Sequence, residues 1–180
     1  DLKRGRASEE VVEKIQLIMS QADITKSARP CIQAARDRAE ETGGPAVAIE
    51  LGDGRIVTGR TTDLLGASSA ALLNALKTLA DINDSIPLIS PSIIEPIQKL
   101  KVEYLGSRNP RLHTDEVLIA LSMCAATNKH AQIALEQLEK LRGCQVHTSV
   151  MLSEVDIKTF KRLGIELTSE PVYEHNRLYQ

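Results

Sequence analysis

The chain has 180 residues, 42% hydrophobic and 26% charged, enough to bury a core as one domain with a helical extension. Its net charge is −2 with both signs interspersed, and with one Phe, three Tyr and no Trp it lacks the basic surface and stacking rings that nucleic-acid binding uses. No apolar run approaches the roughly 20 residues of a membrane span, no signal peptide stands at the start, and the widely spaced Cys31, Cys124 and Cys144 suit free thiols in a reducing compartment, so a cytoplasmic piece of a longer polypeptide is expected.

Ser8 is placed to cap a first helix, with Glu9 and Glu10 in its positive first turn and Val11, Val12, Ile15, Ile18 and Met19 at helical spacing up to about Ala22. Pro30, whose fixed φ suits a first helical position, opens a second helix that Gly43 and Gly44 stop. The period then changes. Residues 46–51 read as a buried strand, Gly52-Asp53-Gly54 as a tight turn, and residues 55–59 as the returning strand of a hairpin. A helix from about Gly66 to Asp81 carries Leu72, Leu73, Leu76 and Leu79.

A short helix opens at Ser90 and Pro91, with Pro96 predicting a kink or a later start. Thr114 is placed to cap a helix with Asp115 and Glu116 in its first turn. A second leucine-rich helix follows Asn128 and ends at Gly143, giving a helical hairpin. The last unit is strand 145–152, a helix opened by Ser153 with Asp156 three residues on, and strand 165–168, an order that predicts a parallel, right-handed pair. The fold expected is α/β: a mixed four-stranded sheet flanked by helices, with an inserted helical hairpin. Residues 1–44 lead into an α/β domain over 45–180, with the helical insertion at about 90–142.

Five positions are candidate ligand-binding residues. Gly66, Ser68 and Ser69 stand at a helix start, where free N–H groups and the helix dipole favour a phosphate or carboxylate. Ser153 and Asp156 stand at the start of another helix that follows a sheet strand, a common place for ligands in α/β sheets. Capping and close packing are the competing explanation for both. Cys144 and His147 sit three apart on a strand, so they face opposite sides and do not form a metal pair. His113 with Asp115 and Glu116 admits an acid–base or metal role, but the carboxylates also suit the helix dipole. No Walker loop, nucleophile elbow, zincin motif or dinucleotide fingerprint occurs.

The segment Gly43 to Leu51 (GGPAVAIEL), continuing through Asp53-Gly54-Arg55-Ile56-Val57-Thr58-Gly59 and Leu64-Leu65-Gly66-Ala67-Ser68-Ser69-Ala70, resembles the C-terminal domain of an uncharacterised bacterial protein family. Leu112 to Leu118 (LHTDEVL) and Leu167 to Pro171 (LTSEP) fit the same family. Its members are much longer, so the resemblance implies an upstream domain as partner. Some carry a label as ATP-dependent peptidases, though this segment holds no peptidase motif. A second resemblance, of fold only, is to cytidine deaminases, and implies a three-layer arrangement. Their zinc ligands would stand at the starts of the helices after strands two and three. Here those positions read Gly66-Ala67-Ser68-Ser69-Ala70 and Ser153-Glu154-Val155-Asp156, which argues against zinc, and no other cofactor is evident.

Three functions compete on this reading. The first is a small-molecule or nucleotide-binding domain without zinc-deaminase chemistry. The second is a structural module, with homo-oligomerisation through helices 114–142. The third is part of an ATP-dependent hydrolase whose motifs lie upstream.

Overall fold

The computed structural model describes residues 1–174. Its helices and strands are α1 (Glu9–Gln21), α2 (Pro30–Thr42), β1 (Ala46–Glu50), β2 (Ile56–Arg60), α3 (Ala67–Leu79), α4 (Pro91–Lys99), α5 (Thr114–Ala125), α6 (Lys129–Leu135), β3 (Gln145–Thr148), α7 (Glu154–Arg162) and β4 (Glu166–Ser169).

The four strands form one mixed sheet in the order β2-β1-β3-β4. The β1–β2 hairpin turns through Gly54, whose φ of +83° is a conformation that side chains oppose, and the Asp53 carboxylate accepts the Arg55 amide at 3.0 Å. β1 is antiparallel to both β2 and β3, and β3 is parallel to β4. The carboxyl ends of β2, β3 and β4 therefore share one edge of the sheet, and α3 and α7 begin there.

Alternation along the strands divides the two faces. Val47, Ile49 and Val146 meet Leu72, Leu76, Leu121 and Phe160 in the main core. On the opposite face Ala48 packs against Cys31 and Ala35 of α2, small residues that bring helix and strand close. His147, also on that face, is buried, with Nδ1 2.8 Å from the Thr168 hydroxyl and Nε2 3.3 Å from Glu170, which Arg36 of α2 also contacts. Cys144 lies in the main core, so the two residues do take opposite sides of the sheet.

Several boundaries differ from the sequence reading. Strand β3 ends at Thr148, because the Thr148 hydroxyl donates to Val150 O and bends the chain out of the ladder. Pro96 is carried inside α4, which starts at Pro91 and runs on into a π-turn over Leu100–Tyr104. The second helix of the hairpin stops at Leu135 and resumes as a short 3₁₀ turn, Leu138–Leu141. Ser8 occupies the N-cap of α1 without making a side-chain cap. His113, not Thr114, is the N-cap of α5. The hairpin turns Val117, Ala120, Leu121, Ala131 and Ala134 into the main core, leaving Ile119 and Met123 on its outer side.

Candidate functional site

Gly59 fixes the position of α3. A Cβ there would lie 2.1 Å from Ala71 N and 2.7 Å from Ala67 O, so the absence of a side chain lets α3 press its backbone onto β2. Its alanines and leucines favour a helix, and Gly66 at the N-cap has extended backbone angles and no capping side chain. The first amides of α3 thus have no side-chain acceptor.

The segment Arg111–His113 lies between the starts of α3 and α7. Leu112 is fully buried; its N–H donates to Leu64 O at 3.1 Å, and its carbonyl accepts from Gly66 N at 3.3 Å and Ser69 Oγ at 2.8 Å. Arg111 Nε donates to Thr62 O at 2.8 Å. Lys101, buried to 5% exposure, fastens the segment from behind by donating to Arg111 O at 2.6 Å and to Glu116 at 2.7 Å. Glu116 Oε2 in turn accepts the His113 amide at 2.8 Å. No motif or spacing signals Arg111 or Lys101 in the sequence, since each gains its role from a return of the chain.

Asp156 joins α7 to α5. Its carboxylate accepts the Thr114 amide and hydroxyl at 2.9 Å each and the Ser153 hydroxyl at 2.8 Å, and lies 3.3 Å from His113 Nδ1. Ser153 Oγ also accepts the Asp156 amide at 3.2 Å, which is the expected cap. Burial pushes the Asp156 carboxyl up, but the His113, Thr114 and Ser153 hydrogen bonds outweigh it and hold it below the ordinary carboxylate range. His113 is raised, chiefly by its hydrogen bond with Asp156 and against the cost of burial. The three residues do not form a hydrolytic triad. Ser153 Oγ and Asp156 both face His113 Nδ1, at 3.4 and 3.3 Å, whereas a triad sets nucleophile and acid on different ring nitrogens.

A cavity of about 30 Å³, room for one or two water molecules, opens between these elements. Gly66, Ser68, Ser153 and Asp156 line it together with Arg111 and Glu174. Of the five candidate residues, Ser69 alone is turned away, held by Leu112 O. Among the described residues, three polar atoms on the lining are buried without a hydrogen-bond partner: Ser68 Oγ, Arg111 Nη1 and Glu174 Oε1. The last two face each other at 3.8 Å, an ion pair too long to be a hydrogen bond. Burial raises the Glu174 carboxyl, with Arg111 opposing. Among the described residues, no three His, Cys, Asp or Glu side chains are grouped to hold a metal ion, and no helix is long and apolar enough to cross a membrane.

Fold and site together define an α/β domain with a small polar cavity at the carboxyl ends of β2 and β3. Residues 27–179 match the family described as "Domain of unknown function DUF1846, C-terminal", and the chain belongs to that family. It is 52% identical over all 180 residues to a UPF0371 protein of Corynebacterium glutamicum and 46% identical over the same length to one of Streptococcus thermophilus. In each case it spans 36% of the relative's length.

Proposed function

We propose that this domain binds a small anionic molecule, a nucleotide or another phosphate or carboxylate compound, whose charged group enters between the starts of α3 and α7. The observation that carries the reading is Ser68. Its side-chain oxygen is buried in the cavity wall with no protein partner, beside the uncapped start of α3. A buried hydroxyl without a partner costs about 1–3 kcal/mol, and such groups are retained where a ligand or water completes them.

Arg111 supports the same reading, because a guanidinium held 3.8 Å from its carboxylate has a hydrogen-bond donor to spare. The cavity as it stands is smaller than a phosphate group. The ligand's anion would take the place of the Glu174 carboxylate and close on Arg111, Ser68 and the first amides of α3. Zinc has no part in this reading. The two helix starts turn hydroxyls and the Asp156 carboxylate to the cavity, and Asp156 already accepts three hydrogen bonds from Thr114 and Ser153. Glu154 is paired with Arg4 and Arg6, and the His113 imidazole on the lining faces Asp156 through Nδ1, so the donors do not suit the sulfur and nitrogen coordination of a zinc deaminase.

Calorimetric titration with inorganic phosphate, AMP and acetate tests the proposal. Saturable binding of at least one of them is expected. It should weaken about tenfold or more in Arg111→Met, the effect of losing a charge-assisted hydrogen bond, less in Ser68→Ala, and strengthen in Glu174→Gln. Absence of binding to all three, or equal affinity in Arg111→Met, would sink the idea.

A further inference from the structure

We propose that α1 is a docking element whose apolar stripe seats against the part of the polypeptide that precedes the C-terminal domain. At 100° per residue, Val11, Ile15 and Ile18 of α1 and its C-cap Ala22 fall on one stripe, with Val12 and Met19 at its margin and Glu9, Glu13, Gln16 and Ser20 opposite; Leu17 lies outside the stripe. This is the pattern of a helix that packs on a core. Yet no residue of α1 is buried, and Val11, Ile15 and Ile18 are 44%, 52% and 62% exposed. A helix of 13 residues is marginal in water without tertiary packing, so the stripe needs a partner surface to hold the helix.

Two findings identify that surface. The C-terminal family domain begins at residue 27, so α1 stands outside it. The relatives nevertheless match the chain over its whole length, α1 included, and are nearly three times as long. The helix is thus shared by proteins that also have a large additional portion, and an apolar stripe outside the C-terminal domain is suited to packing on that portion.

The residues before α1 fix the direction of approach. Arg4 donates to Glu154 at 2.8 Å and to Leu152 O at 2.6 Å, Arg6 donates to Glu154 at 2.6 Å, and Lys3 donates to Pro171 O at 2.5 Å. The segment leading into α1 is therefore fastened beside the start of α7. The chain thus enters α1 from the side of the domain where α7 begins.

Hydrogen exchange on the full-length polypeptide tests it. The α1 amides are expected to exchange about 100-fold more slowly than in a free peptide of residues 8–23, with no change on tenfold dilution. In Ile15→Asp/Ile18→Asp they should exchange at the peptide rate while β1 and α3 stay protected. Peptide-like exchange of α1 in the unmutated polypeptide overturns the proposal. So does protection that falls on dilution, which would indicate a second copy as the partner. If the double variant unfolds entirely, a photo-crosslinking residue at position 18 decides: a single-chain adduct mapping upstream supports the proposal, and a dimer or no adduct refutes it.

Discussion

Replacing Asp156 by Ala tests how the two helix starts are joined. Asp156 is 6% exposed and Thr114 is fully buried, so the change strands the Thr114 amide and hydroxyl in the core. An unpaired buried donor costs about 1–3 kcal/mol. The hydroxyl can rotate toward another acceptor, and His113, whose side chain is 20% exposed, can regain water, so a total loss of about 3 kcal/mol is expected. Asn at 156 keeps an acceptor for Thr114 and should lose about half as much. Urea denaturation from pH 3 to pH 9 measures both variants.

The pH dependence follows from the two ionisations. The Asp156 carboxyl is held below its ordinary 3.8, so its contribution is complete above that value and fades as pH falls through the lower folded pKa. His113 is raised above its ordinary 6.5, so its contribution is complete below 6.5 and fades as pH rises through the folded pKa. The gap between wild type and Asp156→Ala should therefore be widest between those two ordinary values and narrow on either side. A loss below about 1 kcal/mol at pH 6, or a gap that does not vary with pH, would show that Asp156 does not hold this junction.

Two further outcomes are expected. Gly59→Ala forces its Cβ into the backbone of Ala71 and Ala67, so α3 must move; a loss of about 3 kcal/mol in urea unfolding is expected, with weaker anion binding because Ser68 moves too, and an unchanged unfolding midpoint would contradict the close approach. Cys31, Cys124 and Cys144 are all buried, and burial raises the Cys31 and Cys144 thiols, so a thiol reagent at pH 8 should modify none until denaturant is added; rapid modification of the native protein would contradict the packing of α2 and β3.

Much of the architecture was legible in the sequence because local chemistry dictates it. Asp53-Gly54 favours a tight turn, and the apolar run before it with the returning run after it suits a hairpin. Pro30 and Gly43 bound α2 because one suits a first helical turn and the other a left-handed end. Ser153 caps α7 as its spacing implies. Chain connectivity predicts the hairpin and the parallel pair but not the strand order: that β1, rather than β2, lies beside β3 and runs antiparallel to it was decided by the tertiary structure. The end of β3 was not legible, because the apolar residues Val150, Met151 and Leu152 continue the strand pattern past the point where Thr148 turns the chain out of the ladder.

The candidate site divides along the same line. By itself, the sequence determined that Gly66, Ser68, Ser153 and Asp156 stand at helix starts, since capping and propensity act within a few residues. Only the tertiary structure decided that the two starts face each other, that Ser69 turns into the core, and that Asp156, bonded to Ser153 at the start of its own helix, also accepts the first amide of α5. It also brought Arg111 and Glu174, far apart in the chain, to the cavity those starts line. The reason is that the loop carrying Arg111 is held by Leu112 pairing with Leu64 and Gly66 and by Lys101 beneath it, contacts between residues up to dozens of positions apart that no local pattern encodes.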